Sequence, residues 1–142
     1  MKIITYGSLL NLFSLEKSLK RKSFLKKIIV PGVERIFNAP FGDYSFLNLR
    51  QSFTSQIEAA YFEIEKKELK KFRKREEGSK MKEIIPGYFA FIWPENKCEE
   101  LPVLQSYINF CVAGADELGV DLWKGTIKPL IIINDLECPL YP

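Results

Sequence analysis

Short runs of alternating hydrophobic and polar residues recur along the chain and predict β-strands. Residues 2–6 form a short run that is apolar on both faces, which is typical of a central strand. Further strands are predicted at residues 33–38, 46–49, 56–64, 82–85 and 88–93. The strand at 33–38 is expected to stop at Pro40 and Gly42, because proline lacks a backbone donor. Pro86-Gly87 predicts a tight turn that pairs the last two strands.

Three segments show helical signals. Residues 15–27 are expected to be partly helical, up to the boundary at Pro31-Gly32. Residues 65–77 are rich in Lys and Glu and predict a mostly solvated helix that Gly78 ends. In the third segment, which closes near Gly119, apolar residues follow the spacing of a helix face: Leu104, Tyr107, Ile108, Cys111, Val112 and Ala115. The tail after Ile131 is expected to be extended, with no helix beyond Pro139.

Strands outnumber helices and tend to follow one another along the chain. This order predicts an α+β fold in which a mixed or antiparallel sheet closes into a small barrel flanked by helices. The length of 142 residues predicts a single domain spanning 1–142. With 46% hydrophobic and 13% aromatic residues, the chain can build a core, which excludes disorder for its bulk.

The composition narrows the possible chemistry. The chain has no histidine, so most hydrolytic and metal sites would lack their usual base or ligand. Cys98, Cys111 and Cys138 are odd in number and form no C-x-x-C motif, which predicts no metal site and fits reduced thiols in a cytosol. Cys111 is expected in the core. The apolar run from Lys2 to Leu15 lacks a cleavage signal and is interpreted as containing a buried strand, and no stretch is long enough to cross a membrane.

The net charge of +3 is distributed unevenly. Much of the excess lies in one basic cluster: Lys17, Lys20, Arg21, Lys22, Lys26 and Lys27. Such a cluster can bind nucleic acid or a membrane surface. Phe24 is its only possible stacking partner, so the favoured interpretation is a solvated face, with no nucleic-acid or membrane partner. Nucleic-acid binding through this cluster is the weaker alternative.

The motif Tyr6-Gly7-Ser8-Leu9-Leu10 follows the first predicted strand. A strand that breaks into Gly-Ser exposes several backbone N–H groups at one point, and these can hold a carboxylate or a developing oxyanion. In a chain without histidine, the best-placed carboxylate for acid–base work lies in Arg75-Glu76-Glu77-Gly78. The plainer alternatives are a simple turn glycine at Gly7 and solvated helix residues at Glu76 and Glu77.

Together, these motifs resemble the gamma-glutamylcyclotransferase-like family, whose signature Tyr-Gly-Ser-Asn-Leu is similar to residues 6–10. The pair Phe37-Asn38 resembles an aromatic-Asn pair in an early strand of the family. Residues 60–64 and 72–76 resemble its strand and the following helix that ends in Arg-Glu. Residues 111–119 are similar to a later helix with Cys, Gly-Ala and Gly, and the tail Asn134-Asp135 with Pro139 and Tyr141-Pro142 looks like that of bacterial members.

The resemblance implies an enzyme that cyclises a γ-glutamyl amine or dipeptide, a small-molecule substrate, to 5-oxoproline without metal or cofactor. It implies that Glu76 is the general acid/base, with Glu77 as the fallback. The implied substrate-binding residues are Tyr6, Gly7, Ser8 and Leu9. Leu9 stands where the family usually has Asn, and no Tyr follows Glu76 closely. The alternative is therefore a catalytically inactive ligand-binding or interaction protein on the same fold. The oligomeric state is left open.

Overall fold

The computed structural model describes residues 1–76, 78–94 and 101–141. Three residues named above, Glu77, Cys98 and Pro142, lie outside these ranges. The described helices are α1 (Leu12–Leu19), α2 (Lys66–Arg75) and α3 (Gln105–Leu118), with a 3-10 helix at Ser8–Leu10. The described strands are β1 (Lys2–Thr5), β2 (Lys26–Phe41), β3 (Tyr44–Glu63), β4 (Lys80–Ile85), β5 (Tyr88–Ile92), β6 (Val103–Leu104) and β7 (Ile132–Ile133).

Five strands form one mixed sheet in the order β2-β3-β1-β5-β4. The first strand lies at its centre, antiparallel to β3 and parallel to β5. Its neighbouring residues Ile3 and Ile4 are buried in two different core clusters, as expected for a central strand covered on both faces. The predicted hairpin around Pro86-Gly87 is confirmed as β4 and β5. The α+β class with a mixed sheet and flanking helices is confirmed, and closure of the sheet into a barrel stays a prediction.

The predicted boundaries in the first half of the chain are wrong in three places. The strands predicted at 46–49 and 56–64 are joined in one strand, β3. Helix α1 ends at Leu19, where Lys20 adopts a left-handed conformation with φ 59°, and β2 begins already at Lys26. Strand β2 also continues through Pro31 and Pro40. It can do so because it is an edge strand, where a missing N–H need not break a ladder, and because its register shifts at two bulges.

Helix α3 covers the sheet with the face that the apolar spacing predicted. Tyr107, Ile108, Cys111 and Ala115 are buried against residues of the loop after β1 and of strands β2 and β3. The helix ends at Gly119, whose φ of 68° suits a residue without a side chain. Helix α3 therefore forms the floor beneath the loop that follows β1.

A side-chain bridge joins the first half of β3 to the end of β5. The Asn48 amide accepts a hydrogen bond from the Trp93 N–H at 2.9 Å and donates one to the Trp93 carbonyl at 3.0 Å. Its position is held by a further bond of 2.9 Å, which it donates to Oδ1 of the buried Asn38. This bridge sets the backbone of Trp93 at the rim of the cavity described next.

Candidate active site

A cavity of about 340 Å³ opens where β1 ends. Its walls come from β1 and the loop after it, the β2–β3 turn, the end of α2, β5, α3 and the C-terminal tail. The lining includes all five residues that the sequence singled out: Tyr6, Gly7, Ser8, Leu9 and Glu76. The fold thus brings two distant segments of the chain to one cavity.

The loop at residues 6–11, called the donor loop below, lines this cavity with Tyr6, Gly7, Ser8 and Leu9. Gly7 precedes the 3-10 helix, and its carbonyl accepts from the Leu10 N–H at 3.0 Å. The N–H groups at the start of a helix have no acceptor in a preceding turn. Outside the bonds internal to helices and strands, the N–H groups of Gly7, Ser8 and Leu9 donate no backbone hydrogen bond within the described part of the chain. These donors can hold an anionic oxygen.

Two glycines allow this loop to lie where it does. A β-carbon built on Gly114 would lie 2.5 Å from the Asn11 nitrogen and 2.7 Å from the Leu10 carbonyl carbon, so α3 and the loop meet backbone to backbone. A β-carbon on Gly7 would lie 3.2 Å from the Tyr107 hydroxyl. The pattern that resembled the family's later helix therefore has a physical role: Gly114 sets the height of the donor loop above α3.

Arg35 supports the loop from beneath, and sequence reasoning missed it. Its side chain is fully buried, and it donates from Nε to the Tyr6 carbonyl at 2.7 Å and from Nη1 to the Leu122 carbonyl at 3.1 Å. A third bond runs from Nη2 to the Glu58 carbonyl. Burial lowers the pKa of Arg35 to about 10, so it is charged at neutral pH. Because the Tyr6 carbonyl and the Gly7 N–H belong to one peptide group, the guanidinium polarises that N–H.

A signal for Arg35 was present in the sequence. Strand residues two apart share a face, so Arg35 lies on the same face as Val33 and Phe37, which are both buried. A charged residue on an otherwise apolar strand face indicates either that its charge is buried with partners or that the predicted register of the strand is wrong. Here three carbonyl groups accept hydrogen bonds from the guanidinium.

Glu76 lies at the end of α2, on the wall of the cavity, and is half-buried. Its carbonyl accepts from the Ser79 N–H at 3.0 Å and the Ser79 hydroxyl at 2.6 Å, which turns the chain sharply after the helix. Gly78 completes the turn with φ 96°, and a β-carbon there would lie 2.6 Å from the Trp93 ring. Glu76 and Trp93 are thus brought to the same rim.

Tyr6 links the two halves of the site electrostatically. Its hydroxyl donates to the Phe91 carbonyl at 2.5 Å. Burial raises the pKa of Tyr6 well above its ordinary value, the nearby Glu76 carboxylate raises it further, and Arg35 lowers it. The Tyr6 phenol therefore stays protonated at neutral pH and lies within the electric field of Glu76.

Leu9, the residue that departs from the resembled signature, is 8% exposed. It belongs to an apolar cluster with Leu15, Phe62, Phe72 and Phe91. Because Phe72 is on α2, this packing ties the donor loop to the helix that ends at Glu76. The backbone N–H of Leu9 does not depend on its side chain, so the loop keeps its donors.

The basic cluster lies outside this cavity. Three of its cations pair with carboxylates: Arg21 with Glu68 at 2.5 Å, Lys22 with Glu16 at 3.7 Å, and Lys27 with Glu58 at 2.9 Å. Its interpretation as a solvated face stays a prediction, which a salt-dependent nucleic-acid binding assay tests.

Two searches of the described residues give negative findings. Among residues 1–76, 78–94 and 101–141, no group of three or more Cys, Asp or Glu side chains is arranged to hold a metal ion. In the same ranges no helix is both long and apolar enough to span a membrane.

Comparison with known proteins finds similarity in structure. No known family and no curated protein matches the sequence. A solved structure of a gamma-glutamyl cyclotransferase superimposes with a TM-score of 0.68 at 12% identity, over 83% of this chain and 79% of that one. The chain has the gamma-glutamyl cyclotransferase fold.

Further solved structures share the gamma-glutamyl cyclotransferase fold with this chain. An uncharacterized protein from Homo sapiens matches with a TM-score of 0.66 at 14% identity, over 83% of this chain and 79% of its own. The YkqA protein of Bacillus subtilis matches with a TM-score of 0.67 at 15% identity, over 82% of this chain and 48% of its own. Because human and bacterial proteins match alike, the resemblance of the tail to bacterial members stays a prediction.

Proposed function

We propose that this protein is a gamma-glutamylcyclotransferase-like enzyme, which converts a γ-glutamyl amine or dipeptide into 5-oxoproline and the free amine. One observation carries the proposal: Glu76 and the loop residues Gly7, Ser8 and Leu9 line the same cavity. The likeness of the fold to a solved gamma-glutamyl cyclotransferase supports it.

The reaction needs little chemistry from the protein. The α-amine nitrogen of the substrate bonds to its own γ-carbonyl carbon, and the bond from that carbon to the leaving nitrogen breaks. Because both reacting groups belong to one molecule, holding the glutamyl part folded supplies much of the rate. The negative charge that develops on the γ-oxygen is stabilised by the donor loop, whose Gly7 N–H is polarised by Arg35.

Glu76 moves the protons in this scheme. The α-ammonium loses two protons as it becomes the lactam N–H. The carboxylate accepts them one after the other and delivers them to the leaving nitrogen, which departs as an ammonium, so the protein is unchanged after each turnover. Tyr6, which stays protonated beside Glu76, keeps its hydrogen bond to the Phe91 carbonyl and helps to shape the wall. Glu77 stays the fallback for this role.

The substitution Glu76→Gln tests the proposal. It keeps the shape of the side chain and removes its basicity, and we expect 5-oxoproline release to fall by about 10²- to 10⁴-fold. The matched control is Glu117→Gln, which removes an exposed carboxylate at the far end of α3 and should leave the rate unchanged. Full activity of the Glu76→Gln protein, with an unchanged melting temperature, would refute the role of Glu76.

A non-catalytic ligand-binding or interaction protein is the second candidate, favoured by Leu9 in place of the resembled Asn. It predicts no 5-oxoproline from any γ-glutamyl compound. It also predicts stabilisation of the fold by a ligand at the donor loop. Assay of 5-oxoproline release separates the two candidates, and a thermal-shift screen with glutamate, 5-oxoproline and glutathione then separates a ligand-binding protein from an inert one.

We also propose a cytoplasmic location. Cys111 and Cys138 are both free thiols, as is usual in a reducing compartment. Burial raises the pKa of Cys111 to about 12, so this thiol is unreactive at neutral pH. Fractionation of cells that express the tagged full chain tests the location.

A further inference from the structure

One side of the cavity is a continuous aromatic wall made of Phe41, Phe46, Tyr107 and Tyr141, which all line the cavity. Phe46 stacks on Tyr107 with ring centroids 4.1 Å apart and on Phe41 with centroids 4.7 Å apart. Tyr141 meets Phe46 edge-on at 5.4 Å and Tyr107 edge-on at 5.1 Å. The edge-on contacts of Tyr141 are of a favourable kind for aromatic rings, and they join the four rings into one surface.

The aromatic wall runs from the donor loop to the mouth of the cavity. Its inner end is Tyr107, which is 2% exposed; the hydroxyl lies against Gly7 and accepts from the Leu47 N–H at 3.0 Å. Its outer end is Phe41, which is 62% exposed. A substrate whose γ-carbonyl lies at the donor loop can therefore extend its amine substituent along the rings toward solvent.

The tail holds the fourth ring in place. The Asp135 carboxylate accepts from the Ser106 N–H at 2.9 Å, the Ser106 hydroxyl at 2.5 Å and the Leu140 N–H at 2.8 Å. These bonds fasten the tail to the first turn of α3, directly before Tyr141. The ring of Tyr141 is thus held in a fixed position in the aromatic wall.

The charge in the cavity favours a leaving amine that carries no carboxylate. Glu76 adds negative charge to the lining. A leaving group that carries its own carboxylate, as an amino acid or a dipeptide does, is repelled by that charge. An aromatic or long alkyl amine gains contact with the aromatic wall and carries no carboxylate to repel.

We propose that the substrates are γ-glutamyl derivatives of aromatic or long alkyl amines, in preference to γ-glutamyl amino acids and dipeptides. This inference rests on the proposed cyclotransferase function. It assigns the aromatic wall to the leaving amine and the donor loop to the glutamyl part.

Three compounds with one common product test the preference. γ-Glutamyl-methylamide lacks the ring, γ-glutamyl-benzylamide carries it, and γ-glutamyl-phenylalanine carries the ring and a carboxylate. With 5-oxoproline as the readout, we expect kcat/KM for the benzylamide to exceed that of each other compound by about tenfold or more.

Substitutions in the aromatic wall test whether these rings cause the preference for the benzylamide. Tyr141→Ala and Phe41→Ala should each lower the ratio of kcat/KM for the benzylamide to that for the methylamide by about threefold or more. The matched control Phe53→Ala removes a ring that is 90% exposed on β3 and should leave the ratio unchanged. Phe41→Ala keeps the test valid if loss of Tyr141 unfolds the tail.

The outcomes separate this inference from the proposed function. Equal kcat/KM for the three compounds, or a preference for the phenylalanine derivative, overturns the substrate class and leaves the cyclotransferase standing. If no compound releases 5-oxoproline, the proposed function fails, and calorimetric titration of the same compounds then tests the aromatic wall. Tightest binding of the benzylamide supports the wall, and equal or reversed binding overturns it.

Discussion

The substitution Gly114→Ala tests whether α3 sets the geometry of the donor loop. The new β-carbon would lie 2.5 Å from the Asn11 nitrogen, 2.7 Å from the Leu10 carbonyl carbon and 2.8 Å from the Asn11 α-carbon. Comfortable contacts between such atoms are about 3.5 Å. All three neighbours are backbone atoms, so no side chain can rotate away, and the loop must move by about 1 Å.

This displacement should affect activity more than stability. Overpacking of this kind costs about 1–3 kcal/mol. Replacing a helical glycine by alanine returns about 0.5–1 kcal/mol, which leaves a net loss of about 1 kcal/mol in the free energy of unfolding. A shift of about 1 Å in the donors of Gly7 and Ser8 is expected to lower kcat about 10²-fold.

Gly119→Ala is the matched control for Gly114→Ala. Gly119 has φ 68° at the end of the same helix, and a β-carbon there meets nothing within 4 Å. Alanine in this left-handed conformation costs about 1–2 kcal/mol, so the control loses similar stability without touching the loop. We expect its kcat to stay near that of the natural protein.

The assay combines 5-oxoproline release, urea unfolding and the amide NMR spectrum of both variants. Large shifts that extend from Asn11 through Gly7, Ser8, Leu9 and Leu10 in the Gly114→Ala protein would support the reasoning, even if no substrate is turned over. An unperturbed loop spectrum together with an unchanged kcat would refute it, because the loop position would then be independent of α3.

Two further predictions concern the buried charges around the site. Arg35→Lys replaces a guanidinium that donates three hydrogen bonds by a single ammonium. We expect the free energy of unfolding in urea to fall by about 3 kcal/mol, and turnover to slow because the Tyr6 carbonyl loses its partner. Unchanged stability would contradict this. Burial by itself would raise the pKa of Asp135, but its hydrogen bonds from Ser106 and Leu140 outweigh burial and hold the pKa at about 2, below the ordinary 3.8. Its contribution to stability is therefore present above about pH 4 and lost as the pH falls toward 2. Denaturant unfolding of Asp135→Asn beside the natural protein should show a stability difference that shrinks over that range, and a constant difference would argue against the carboxylate.

Elements with strong local patterns could be predicted from the sequence. The central strand before Tyr6, the hairpin at Pro86-Gly87 and the buried face of α3 all follow from the spacing of apolar residues and from turn chemistry. These features depend on near neighbours in the chain, which is why periodicity reveals them. Two of the failures, at Pro31 and Pro40, come from the edge position of β2, which only the assembled sheet defines.

The sequence by itself predicted a loop with backbone donors after the first strand and a candidate carboxylate at Glu76. Only the tertiary structure decided that both line one cavity. Contacts between residues far apart in the chain follow from packing, and the height of the loop depends on a backbone approach at Gly114 that no local pattern encodes. The burial of Arg35 and the stacking of Phe46 on Tyr107 have the same origin. Single motifs predicted the residues of the candidate site, whereas its geometry arises from three-dimensional packing.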